Sequence, residues 1–180
     1  EMCASDLIKV DMNGQALAGP DERVHYSAVR QGAFEFAARP DVNVVSHAHG
    51  LPAMAVSALE RGLLPLSEAA FLFYKGVGYI DAGFHFDDTY MTQVANPLKN
   101  NRVVVYRNHA FLVVAKTVAE AFLTAYMFNQ ACEIQINILS MGGPIVIPPA
   151  EICERHYNSC FGNPNAIYDG SAEWPGLLRL

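Results

Sequence analysis

The chain has 180 residues, with 18 acidic against 12 basic side chains, a formal net charge of -6, 52% apolar residues and only 17% charged ones. That length supports one domain with a sizeable core, and the composition excludes intrinsic disorder, which needs low hydrophobicity and high charge. The acidic balance argues against a nucleic acid held through its phosphates, and no apolar run reaches the roughly 18 residues of a membrane helix. Low surface charge points to an oligomer. Cys3, Cys132, Cys153 and Cys160 show no CxxC spacing, so a cytoplasmic chain with free thiols is expected. Neither an initiator Met nor a signal-peptide pattern opens the chain. Residues 1–180 are read as one domain cut or incomplete at both ends.

Residues 7–11 alternate as a short strand before the turn pair Asn13-Gly14. The apolar spacing predicts a helix over 24–39, closed ahead of Pro40. The β-branched run 42–46 predicts a strand leading into His47-Ala48-His49. Helices are expected over 52–61, with Pro52 in the first turn and Gly62 after the last, and over 67–74. Residues 76–81 read as a strand, 84–90 have no assignment, and 92–98 read as a helix. Strands follow over 103–106 and 110–115, interrupted by Asn108-His109. Thr117 and Glu120 form a capping box that opens the longest helix, to about residue 140 and roughly 36 Å long. A short helix is expected over 151–156, and the tail from 161 is turn-rich. Strands interleaved with helices make the class α/β.

One set of residues carries metal-ligand logic. In extended backbone His47 and His49 point to the same side, and His109 follows a strand whose end can reach them. Three histidines leave positions open on an ion, as catalytic sites do. With six histidines in 180 residues a His-x-His arises by chance about 0.17 times, so the pair alone is a weak signal. His25 and His156 are expected at the surface, and His85 lies among aromatic and acidic residues from which it could enter a site. No P-loop, nucleophile elbow or GxGxxG occurs.

The run Ala38-Arg39-Pro40-Asp41-Val42-Asn43 followed by Val44-Val45-Ser46-His47-Ala48-His49 resembles a segment of the class II aldolase/adducin family. Arg107-Asn108-His109 resembles the family's asparagine-histidine-glycine segment, with Ala110 in place of the glycine. Residues 55–65 and 117–135 resemble its flanking helices. The resemblance implies a three-layer αβα sandwich around a central, mostly antiparallel sheet. It also implies a homotetramer with sites between subunits, and a divalent metal (Zn, Fe, Mn or similar) held by His47, His49 and His109. In the family's sugar-phosphate aldolases the metal stabilises an enolate as a carbon–carbon bond breaks. Some relatives decarboxylate, others are iron oxygenases, and adducins use the fold as an interaction head.

Two departures separate this chain from the sugar-phosphate aldolases. Counting back from Pro40 puts their catalytic glutamate at Ala28, which carries no proton, and Glu35 reads as a solvated residue in a different register. Their glycine-asparagine phosphate loop would precede Glu1. The adducin-like branch, which includes decarboxylases, is the nearer match. Glu68, after the turn Pro65-Leu66-Ser67, is a candidate general base, with a helix-start carboxylate as its alternative role. The function expected is a metal-dependent lyase acting next to a carbonyl on a small oxo or hydroxy acid or an aldol. Its catalytic candidates are Glu68 and His85. The alternatives are a non-heme iron oxygenase acting on an aromatic oxo acid and a non-catalytic interaction module.

Overall fold

The computed structural model describes residues 7–19, 24–81, 88–163 and 168–179. The β-branched and apolar runs form β1 (Lys9–Val10), β2 (Ala16–Ala18), β3 (Val44–Ala48), β4 (Val77–Ile80), β5 (Val103–Tyr106) and β6 (Ala110–Ala115). The helices are α1 (Tyr26–Ala38), α2 (Leu51–Ser57), α3 (Glu68–Phe71), α4 (Asp88–Asn100), α5 (Val118–Ser140), α6 (Ala150–Phe161) and α7 (Trp174–Leu177). His85 lies outside the described residues.

Strands β1 and β2 form a separate antiparallel ribbon, its turn held by Asp11 Oδ1, which accepts from the amides of Asn13 and Gln15. The central sheet has the order β3-β6-β5-β4. Its β3–β6 and β6–β5 pairs are antiparallel, and only β5–β4 is parallel. The sheet is therefore mostly antiparallel, as the family resemblance implies.

Side-chain alternation on β5 and β6 divides the core into two layers. Val103, Val105, Phe111 and Val113 meet Ala53 and Val56 of α2, Phe73 beyond α3, and Phe128 of α5. Val104, Tyr106, Leu112 and Val114 meet Phe34 and Phe36 of α1 and Val94 and Leu98 of α4. Helices on both faces bury these strands completely, which is why they read as unbroken apolar runs. The architecture is an αβα sandwich.

Arg39 and Asp41 are structural. The Arg39 guanidinium grips both Asp41 carboxylate oxygens, at 2.7 and 2.8 Å, and donates to the carbonyls of Leu98 and Asn101. This pins the end of α1 to the end of α4, and the Arg39 bonds hold the Asp41 carboxyl down at about 2. At the head of α5, Thr117 Oγ1 accepts from the Glu120 amide, while the Glu120 carboxylate accepts from the amide of Lys116. The capping box is thus present with its return bond shifted one residue outward.

Several boundaries differ from the sequence expectation. Helix α4 runs from Asp88 to Asn100, longer at both ends than the expected 92–98, and gives up one ladder hydrogen bond at Pro97. The Asn101 side-chain amide donates to the Pro97 carbonyl at 2.6 Å and closes that end. Helix α6 extends to Phe161, well beyond the expected stop at 156. Helix α2 ends early, at Ser57, whose hydroxyl turns back to donate to the Met54 carbonyl. Among the described residues, no helix is long and apolar enough to cross a membrane.

Candidate metal centre

His47 sits on β3, opposite Leu112 in the ladder, and so faces the α1 layer with Leu112. His49 follows two residues on and shares that side. Gly50 then starts the turn into α2, and a Cβ there would overlap the side-chain amide of Asn129. His109 comes from the β5–β6 turn. Asn108 beside it takes a left-handed φ of 60°, a conformation asparagine tolerates better than most residues. The turn is held from behind: Arg107 donates to the carbonyls of Leu59 and Glu60, at 2.7 and 3.0 Å, and the Asn108 amide donates to Ser57 Oγ. The segment 57–60, at the end of α2, thus fixes where His109 stands.

The three imidazoles converge. His47 Nε2 lies 3.4 Å from His49 Nε2, which lies 3.1 Å from His109 Nε2. The candidate ligand atoms of all three lie within 4.8 Å of one another. Nitrogens bound tetrahedrally at about 2.0–2.1 Å from one ion would stand roughly 3.3 Å apart, so the donor set fits a metal. Burial, then the His49 and His109 charges, push His47 down to about 4. Burial, then His49, also lowers His109. Neutral imidazole is the form that ligates.

Beside the histidines lies a cavity of about 600 Å³. Ala28, Gln31, Gly32 and Glu35 of α1 line one wall, with Phe36 and Val45 nearby. Glu35 is only 2% exposed. Its Oε1 accepts from Gln31 Nε2 at 2.8 Å and from the Tyr106 hydroxyl at 3.1 Å. Gln31 Nε2 also lies 3.4 Å from His47 Nδ1, the ring nitrogen away from the cluster. Burial pushes the Glu35 carboxyl up to about 7, against the opposing pull of those two hydrogen bonds.

This corrects the expectation that Glu35 is solvated and out of register. Seven residues turn a helix through about 700°, within 20° of two full turns, so Glu35 shares a face with Ala28. The signal was present in the sequence as the spacing 28, 31, 32, 35.

Residues 1–136 match the family described as "Class II Aldolase and Adducin N-terminal domain". The chain belongs to the class II aldolase and adducin family. An aldolase II superfamily protein from Pseudomonas syringae superposes with a TM-score of 0.92 at 30% identity, over 99% of this chain and 72% of that one. L-fuculose 1-phosphate aldolase from Glaciozyma antarctica PI12 shares the fold, with a TM-score of 0.82 at 22% identity over 99% of this chain and 69% of that one. Alpha-adducin of Mus musculus is 36% identical over 197 aligned positions, covering all of this chain and 26% of its own length.

The other sequence candidates fall elsewhere in this family member. His25 lines the outer part of the cavity, its Nδ1 2.9 Å from Ser27 Oγ. Glu68 opens α3, exposed, and faces His156 across 3.9 Å; within one chain it does not join the three histidines. His156 is half-buried on α6. Tyr106, the last residue of a strand that reads as pure core, gave no functional signal in sequence.

Proposed function

We propose that this chain is a divalent-metal-dependent lyase that makes or breaks a carbon–carbon bond next to a carbonyl, by decarboxylation or aldol cleavage. The observation that carries the reading is three convergent imidazole Nε2 atoms beside a cavity holding a buried, proton-retaining carboxyl. His47, His49 and His109 would hold the ion, which supplies Lewis-acid polarisation of substrate oxygens. Gln31 donates to Glu35 and to the Tyr106 hydroxyl and packs against the His47 ring. Glu35 stores and releases the proton at its carboxyl, poised near neutrality, where general acid–base exchange is most effective. The Tyr106 hydroxyl fixes the carboxyl rotamer. Phe36 and Val45 give that side of the cavity an apolar wall. The substrate class is a small oxo or hydroxy acid or an aldol, and the working state is a cytoplasmic homotetramer.

An interaction module is the second reading, favoured by Ala28 and by the similarity to alpha-adducin. Metal analysis of the purified protein separates the two readings, with His47→Ala as control. Stoichiometric metal lost in the variant, with anaerobic turnover of oxo-acid substrates, supports the lyase. No metal in either protein overturns it. Turnover that requires Fe(II) and dioxygen assigns the site to an oxygenase instead.

A further inference from the structure

On the far side of the molecule from the three histidines' layer, α3 and α6 bring together a thiol, an imidazole and a carboxylate. Cys160 Sγ lies 3.8 Å from His156 Nε2, one helical turn away on α6. The other ring nitrogen, His156 Nδ1, lies 3.9 Å from Glu68 Oε1 on α3. The Phe71 ring meets the imidazole edge-on at 5.7 Å between centroids and limits its rotation. Cys160 and His156 border a cavity of about 430 Å³ with Glu68, Met127, Ile134 and Tyr168. Two further groups face the thiol. Tyr168 closes one side, and Arg102, ahead of β5, stacks its guanidinium 3.7 Å over the Phe161 ring next in sequence. Arg102 Nε is buried with no hydrogen-bond partner among the described residues.

We propose that Cys160, His156 and Glu68 form a reactive-thiol site that takes small disulfides from the cavity side. The order is nucleophile, base and orienter, the arrangement by which an imidazole activates a thiol while a carboxylate sets its tautomer. Apo geometries of this kind are commonly loose and tighten on engagement. In the step, the Cys160 thiol proton passes to His156 Nε2 and Sγ attacks one sulfur of the disulfide. The Cys160–sulfur bond forms as the disulfide bond breaks, and the departing thiolate takes the proton from His156. Cys160 is oxidised to a mixed disulfide, and the departing sulfur is reduced. Glu68, turned away from the sulfur, is a positioning residue. Cys132 and Cys153 are both 0% exposed and serve as unreactive internal controls.

The test is a modification rate at Cys160, read by peptide mass spectrometry at low ionic strength with glutathione disulfide and, separately, iodoacetamide. At pH 7, His156→Gln slows both reactions about tenfold, and the gap closes toward pH 10, where the thiol ionises unaided. Glu68→Gln slows them by roughly a third of that factor, and Glu68→Asp restores the rate. Circular dichroism confirms that each variant is folded. Equal rates in the wild-type chain and folded His156→Gln, with both reagents, overturn the site. A His156 dependence seen with iodoacetamide alone overturns the disulfide as its reactant. Equal rates in Glu68→Gln overturn the carboxylate's role.

Discussion

The Tyr106 hydroxyl donates to Glu35 Oε1 at 3.1 Å, joining the end of a central strand to the buried face of α1. Both residues lie in the layer that also carries the inner face of β3, so the bond ties the carboxyl to the sheet that presents His47. Without it, Glu35 would be held only by Gln31, its neighbour one helical turn back.

Glu35 makes stability depend on pH in a sense opposite to that of most carboxylates. Its folded value, about 7, lies above its ordinary value of 4.5. Between those values the folded state holds a proton that the unfolded state has released. Stability is therefore full below about 4.5 and falls as pH rises through 7. Glu35→Gln removes that loss: urea melts are expected to show the variant more stable by about 3 kcal/mol at pH 8 and equal at pH 4.5. A variant less stable than the parent at pH 8 contradicts burial as the cause.

Tyr106→Phe keeps the ring and deletes the donor. The expected cost is about 1 kcal/mol, the net worth of one buried hydrogen bond. The Glu35 carboxyl should also titrate higher, since the hydroxyl favours its charged form. Carbon-detected NMR of the carboxyl across pH 5 to 9 reads the change directly, and an unmoved midpoint would show that the bond is absent in solution.

Replacing His47 or His109 by Ala is expected to cut divalent-metal affinity by about 100-fold or more, measured by competition with a coloured chelator. The fold should survive. Treatment with a strong chelator leaves the far-ultraviolet spectrum unchanged, because the ladder bonds of β3 and β6 and the ties of the 107–109 turn hold the ligands without an ion. Unfolding on chelation would make the site structural.

Arg39→Lys tests the fastening of α1. Lysine can satisfy neither the two-oxygen grip on Asp41 nor, at the same time, the two carbonyls of α4 and its end. A loss of about 2 kcal/mol is expected in chemical denaturation, with metal affinity little changed.

Much of the fold was readable because periodicity alone separates β5, β6 and α5 from their surroundings, and caps mark where α5 begins. The three histidines were readable for the same reason: alternation in a strand puts residues 47 and 49 on one side. The burial of Glu35 is less legible, because its register must be counted over two full turns from Ala28 and a carboxylate on a helix is ordinarily solvated. Tyr106 and Gln31 were illegible for another reason. Their roles rest on bonds between α1 and β5, 71 and 75 positions apart, which no local pattern encodes. The pairing of Glu68 with His156 is likewise a product of how α3 and α6 dock.

The anchoring of the 107–109 turn to α2 has one more consequence. A site assembled before any ion arrives has nothing to gain from a particular metal by way of folding. Occupancy then follows supply and ligand preference, and neutral imidazoles accept several first-row ions. The same polypeptide could therefore carry different ions in cells that differ in iron and zinc, with exchange on the timescale of dissociation and no refolding.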